Sequence, residues 1–393
     1  MTATSTQNLT EASAEVPTGA LSATSIETPS ETSSDLLSRT IGQIVALDTD
    51  AMRAAEARQM QLTKPPKALG RLETLSVQLA GIKAQPIPAI AHKMIAVMAA
   101  DHGVVVEGVS AFPAEVTPGM VFNFAAGGAA INVIGRLVGA RVIVTDVGVN
   151  ADLSADAGVR QRKIRMGTAN MAQGAAMSRD EAVRAIEGGI ELVAEELAHG
   201  LDIVATGEMG IGNTTAASAV IAALTGEPVV KVTGRGTGIS KEALPAKVAV
   251  IEKALAVNRP NAGDAVDVLA KVGGLEIAAM TGLFLGGAVH RIPVVMDGFI
   301  SAAAALAAVR LCPACVNYIL PSHVSIEIGH QVVLDELGLT PLFDLEMRLG
   351  EGTGAALAMS MYEAAARTLA EMATFAGADI AGDPSEADAE LSR

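Results

Sequence analysis

Residues 202–225 read DIVATGEMGIGNTTAASAVIAALT. Asp202–Thr206 is a short apolar run, Gly207–Thr215 (GEMGIGNTT) is polar and glycine-rich, and 213–225 has the length and composition of a helix. A run too short for a helix, turning through glycines into a helix, is the opening of a βαβ unit. The alternation recurs on both sides. Further candidate strands are Met94–Ala99, Arg141–Asp146, Pro293–Met296 and Val316–Leu320. Candidate helices cover 119–137, 179–199, 242–257, 273–288, 299–310, 325–337 and 352–373. Strands separated by helices predict an α/β fold with an open, doubly wound, mostly parallel sheet of Rossmann-like type.

In such sheets ligands sit beyond the carboxyl ends of the strands. Each candidate strand runs there into a polar or glycine-rich segment. The segments are Asp101-His102-Gly103, Asp146-Val147-Gly148, Gly207–Asn213, Asp297-Gly298 and Ser322–Ser325. Five at one edge predict a site for a small polar ligand.

Composition narrows the function class. The chain has 393 residues and a formal charge of −15. Residues 1–40 and 377–393 hold ten Asp/Glu and two Arg, so these ends carry −8 of the −15 and the middle is only mildly acidic. Clustered Lys and Arg for nucleic acid are missing, whereas an anionic small substrate remains compatible. Two cysteines give no disulfide framework. The mean hydropathy of +0.40 comes largely from Ala and Gly. The richest apolar stretch, 273–311, is interrupted by Glu276, His290, Arg291 and Asp297, so no membrane span is expected. Residues 1–38 lack both the apolar core of a secretory signal and the arginines of a transit peptide, and read with 377–393 as disordered acidic tails. From 38 to 84 the pattern is helical, broken at Lys64-Pro65-Pro66.

Three glycine-rich segments carry the chemistry. In Gly207–Thr215, Gly210 and Gly212 let backbone amides approach an anion at a helix N-terminus, and Thr214 and Thr215 can cap that helix. A plain capped turn fits this segment too. It is neither a Walker A loop nor a full G-x-G-x-x-G, which argues against a nicotinamide-dinucleotide oxidoreductase. Gly234–Gly238 (GRGTG) is a second such turn. Lys247 follows it and, taken alone, reads as a surface lysine. Gly350–Gly354 (GEGTG) places Glu351 between glycines ahead of an apolar helix, where a ligand can reach the carboxylate and the helix N-terminus favours its charge. Cys312 and Cys315 read as structural thiols, because no second pair completes a zinc site. His323 and His330, on either side of Glu327, read as capping and packing groups in preference to metal ligands.

Taken together the segments resemble one family, nicotinate-nucleotide–dimethylbenzimidazole phosphoribosyltransferase. The matching stretches are Lys64–Glu73 (KPPKALGRLE), 100–133, Arg165–Met171 (RMGTANM), Gly207–Thr215, Gly234–Gly238, 273–287, Met296–Ser301 (MDGFIS), Ser322–His330 (SHVSIEIGH) and 338–357. They keep the family's order over about residues 40–375. The resemblance implies transfer of the 5-phosphoribosyl group of nicotinate mononucleotide to a benzimidazole nitrogen with inversion, giving α-ribazole 5′-phosphate, the lower-ligand nucleotide of cobalamin, and nicotinate. It implies Glu351 as general base and Glu208 as a second carboxylate stabilising charge on the ribose. Gly210, Gly236, Lys247, Asp297, Gly298 and Ser325 would hold the phosphoribosyl group, with Lys247 on phosphate and Asp297 on ribose hydroxyls. Ser110, Phe112 and Leu349 would line the slot for the flat base. No cofactor and no metal are implied. The family also implies a cytoplasmic homodimer built from a large α/β domain (91–345) and a smaller helical part from both chain ends (39–90 and 346–376).

Three positions depart from the family pattern. Phe112 stands where tyrosine is usual, Gly119 where glutamine is usual, and Lys67-Ala68 where Gly-Ser is usual. The first two predict a larger, less polar acceptor slot, open to other benzimidazoles, purines or phenols. A non-catalytic nucleotide-binding homologue is the competing reading, and the intact Glu351 segment weighs against it.

Overall fold

The computed structural model describes residues 34–153 and 158–381. Six strands form one sheet: β1 (Lys93–Ala100), β2 (Ala140–Gly148), β3 (Val159–Gln161), β4 (Ile203–Met209), β5 (Val294–Met296) and β6 (Ile319–Pro321). Every neighbouring pair is parallel and the order is β3-β2-β1-β4-β5-β6. That order reverses direction between β1 and β4, where open α/β sheets leave a crevice beyond the strand ends. All eight residues of β1 are buried, as both covered faces of a central parallel strand require. The doubly wound expectation holds. The unexpected β3 is three residues with two polar side chains, too short for a periodic signal.

The helices, in chain order, are α1 (Ser34–Gln43), α2 (Thr49–Gln59), α3 (Arg71–Lys83), α4 (Val116–Ala125), α5 (Ala130–Val138), α6 (Arg179–Leu197) and α7 (Asn213–Thr225). There follow α8 (Val229–Val232), α9 (Leu244–Asn258), α10 (Ala265–Val272), α11 (Leu275–Val289), α12 (Phe299–Leu311), α13 (Ile328–Leu337) and α14 (Thr353–Glu371). Four differ from expectation, the four-residue α8 among them. The helix expected over 119–137 is two, because Gly127 takes φ +78 and breaks it. As one segment Val116–Val138 has the length and hydropathy of a membrane span. As two helices of 10 and 9 residues, neither half has that length. The short α10 was not expected; the Asp264 side chain caps it by accepting from the Asp267 amide. Helix α1 begins inside the segment read as a tail, because Leu37 is buried and its amide donates to Glu187 Oε1 at 3.2 Å. Residues 1–33 and 382–393, also read as tails, lie outside the described residues.

The Ala- and Gly-rich composition has a packing cause. At the α6–α11 crossing a Cβ on Gly189 would overlap Ala279 O, and one on Gly282 would overlap Ile186 O. The two backbones touch, which excludes any larger residue. Helices α2, α3 and α14 share a second, smaller buried cluster of Ala55, Val77, Ala80 and Leu369. On α14 the buried Tyr362 hydroxyl also donates to Pro321 O, at the end of β6, at 2.8 Å. Helix α14 thus ties the chain ends to the sheet edge. Cys312 and Cys315 are free and buried, and burial raises the Cys315 thiol far above its ordinary range.

Candidate active site

The loops after β4, β5 and β6 meet the loop before α14 and the start of α4 around a cavity of about 710 Å³. Three of the five expected segments supply its walls. The other two are structural. Asp101 accepts the Asn150 amide and His102 Nε2 lies 2.6 Å from Glu276 Oε1, both behind the wall. Asp146 caps the turn after β2 through Val149 N–H (2.9 Å).

Glu351 is placed by an unusual backbone. Gly350, Glu351 and Gly352 have φ of +81, +61 and +90, three left-handed residues in succession. Glycine adopts this freely, whereas a glutamate does so at a cost. The glycines also make room: a Cβ on Gly350 would overlap Glu208 Oε1, and one on Gly207 would overlap Glu351 O. The Glu351 carboxylate is buried and accepts from Ile131 N–H at the start of α5 (3.4 Å). That helix, rather than α14, supplies the amide. Burial raises its carboxyl above the usual range, against the Ile131 amide and with added repulsion from Asp297.

Asp297 follows β5 and binds the start of α14. Its Oδ1 accepts Ala355 N–H at 2.9 Å and its Oδ2 accepts Gly352 N–H at 3.3 Å. Helix α14 has no capping side chain of its own, so Asp297 caps it from another strand. It therefore also fixes the residue next to Glu351. Burial raises its carboxyl, opposed by His323 and by the amides of Ala355, Gly298 and Gly352.

Glu208, near the end of β4, is pushed up to about 8 by burial, by Glu276 and by Asp297, and Asn213 donates to its Oε2. Its carboxyl therefore holds its proton to a higher pH than an ordinary glutamate. No cationic side chain is among the groups that act on it, so its desolvation is not offset by an opposite charge.

The cavity brings together Glu351, Glu208, Gly210, Gly236, Asp297, Gly298, Ser325, Phe112 and Leu349. Phe112 and Leu349 stand at its rim, 51% and 58% exposed. Two expected residues, Lys247 and Ser110, do not line the cavity. Lys247 is buried, its Nζ donates to Thr214 Oγ1 at 2.8 Å, and burial lowers it to about 8. Ser110 Oγ lies 3.1 Å from Thr237 Oγ1. Gly119 does not line the cavity, since α4 turns Val116 and Met120 to it instead, and a Cβ at 119 meets nothing within 4 Å. The wider slot therefore rests on Phe112 alone. Sequence reasoning missed Asn213, Thr237, Glu327, Arg348 and the cavity role of His323. His330 Nδ1 accepts Ser325 N–H (2.9 Å), a packing role as expected. Among the described residues no group of three His, Cys, Asp or Glu is placed to hold a metal ion.

A family model described as Phosphoribosyltransferase matches residues 44–380. A Chloroflexus aggregans protein named nicotinate-nucleotide–dimethylbenzimidazole phosphoribosyltransferase is 58% identical over 345 residues, 88% of this chain and 98% of its own. The chain belongs to this family. The enzyme is also 55% identical to the Geobacter metallireducens protein of that name, over 88% of the chain and 98% of the relative. A crystal structure of CobT from Thermus thermophilus is similar with a TM-score of 0.82 and 46% identity, covering 85% of this chain and all of that one. The enzyme is thus a pentosyltransferase.

Proposed function

We propose that the enzyme transfers the 5-phosphoribosyl group of nicotinate mononucleotide to 5,6-dimethylbenzimidazole or a related base, with Glu351 as the general base. The observation that carries this reading is Glu351 itself, buried at the cavity with a raised pKa, held by three left-handed residues and anchored through Asp297. One benzimidazole nitrogen attacks the anomeric carbon while the C–N bond to nicotinate breaks. The bonding pair returns to the pyridine nitrogen, which leaves neutral. The proton on the other benzimidazole nitrogen passes to Glu351, which burial makes a stronger base than an ordinary glutamate. Positive charge building on the ribose is met by the Glu208 carboxyl oxygens at the cavity wall. The cavity aligns both rings about one carbon.

The phosphate end lies against Gly236, Thr237 and Ser325, with Lys247 behind Thr214. The flat acceptor lies between Phe112 and Leu349, and Ser110 steadies that wall through Thr237. Residues 39–90 and 346–376 make the smaller helical part and 91–345 the larger. A cytoplasmic homodimer fits the nucleotide donor and the exposed apolar residues Phe122, Val133 and Leu137 on α4 and α5. The test is a product assay. Nicotinate release and ribazole phosphate are followed by chromatography for the parent and Glu351→Gln. Turnover lost by about 10²–10⁴ in the variant is expected. Silence of the parent with benzimidazoles, purines and phenols, together with tight nucleotide binding, overturns the enzyme reading for this chain.

A further inference from the structure

Glu327 stands at the N-cap of α13, yet its side chain makes no cap hydrogen bond. It turns instead to the Gly234–Gly238 loop, where a Cβ on Gly234 would overlap Glu327 Oε2. The residue is 8% exposed, lines the cavity, and its Oε2 has no hydrogen-bond partner. Around it stand the Gly236 amide, Lys247, Arg235 and Arg348, all favouring the charged form against a larger cost of burial. Lys247 reaches Thr214 Oγ1 and Arg348 Nη1 donates to Gly236 O at 3.4 Å, so the cations surround the same turn. This is a set of donors and cations of the kind that binds a phosphomonoester, already holding one carboxylate.

We propose that Glu327 balances the cationic charge of the phosphate cradle in the free enzyme and takes up one proton when a phosphomonoester enters it, its unpartnered Oε2 then donating to a phosphate oxygen. The inference rests on the phosphoribosyl-donor reading above. The physical reason is that a phosphate dianion and a carboxylate cannot share one desolvated site at hydrogen-bond distance unless a proton lies between them. The proton comes from the buffer. Lys247, lowered to about 8, already carries its own below that pH. Nucleotide binding is therefore linked to a proton on Glu327, and the ionised form of this residue opposes the donor.

The test compares the parent with Glu327→Gln by calorimetric titration of nicotinate mononucleotide between pH 5.5 and 7.5. The ratio of the two dissociation constants cancels the ionisation of the ligand itself. We expect the ratio of parent to variant to rise with pH, approaching tenfold per unit once Glu327 is ionised in the free enzyme. A ratio that does not change with pH, or a variant that binds more weakly throughout, overturns the proposal and leaves Glu327 a structural anchor. A parallel titration with inorganic phosphate separates this from the donor reading. If that ratio rises while the nucleotide neither binds nor turns over, the donor reading fails and the proton-linked cradle stands. If Glu327→Gln does not fold, the parent is titrated at pH 7 in two buffers of different ionisation enthalpy. Proton uptake of about one half to one per ligand is expected, and none overturns the proposal.

Discussion

Replacing Glu351 with glycine separates what this position costs the fold from what it supplies to catalysis. A non-glycine residue at φ +61 pays about 1–2 kcal/mol. Glycine in its place loses about 0.4–1 kcal/mol through the freedom it adds to the unfolded chain. Glu351→Ala removes the carboxylate and its acceptance of the Ile131 N–H as glycine does, yet keeps the strained backbone, so it is the proper reference. Glu351→Gly is then expected to be more stable than Glu351→Ala by about 0.5–1 kcal/mol, whereas at an ordinary helical position glycine is worse than alanine by a similar amount. With an m-value of about 2–3 kcal/mol/M this is a shift of about 0.2–0.5 M in the urea midpoint at unchanged m. The parent adds a pH dependence. Its folded-state carboxyl is raised above the ordinary 4.5, so the folded form holds its proton longer than the unfolded chain. The contribution of Glu351 to stability therefore falls as pH rises from about 4.5 to the raised value, and the advantage of both variants over the parent grows across that window. Both variants lose turnover by about 10²–10⁴. A glycine variant less stable than the alanine variant refutes the argument that glycine-flanked strain is held here for function.

Other perturbations read the supports of the site. Asp297→Ala leaves the Gly352 and Ala355 amides without their acceptor and is expected to cost about 1.5–3 kcal/mol of stability, read from the denaturant midpoint, and to lower turnover, although Glu351 is intact. Glu208 is raised to about 8, so its contribution to stability is full below pH 4.5 and is lost as pH rises toward 8; Glu208→Gln flattens that part of the stability–pH curve, and an unchanged curve contradicts the burial argument. Lys67 has φ +60 where the family usually carries glycine, so Lys67→Gly is expected to hold or raise the melting temperature by about a degree, and a clear drop excludes strain there.

Much of the fold was legible because its signals are local. Five of the six strands were apolar runs ending in Gly, Asp or Ser, and the long helices were bounded by caps and glycines. The α4–α5 break was hidden because glycines within an Ala- and Phe-rich stretch do not by themselves say which one turns left-handed. The start of α1 was hidden because its stability comes from Glu187 and the core, far away in sequence.

For the site, sequence determined the residue types: Glu351 between glycines, Glu208 and Asp297 at strand ends, Lys247 after the second glycine turn. It determined the family and hence the reaction class. Only the tertiary structure decided what those groups are. Asp297 caps a helix 55 to 58 residues onward, Glu208 is pushed up to about 8 by burial and by the neighbouring Glu276 and Asp297, and Glu327 turns from the start of α13 onto the Gly234–Gly238 loop. The reason is physical. A side chain's chemistry is written in its own atoms, but its charge and its partners depend on desolvation and on neighbours that the parallel sheet brings together from distant segments.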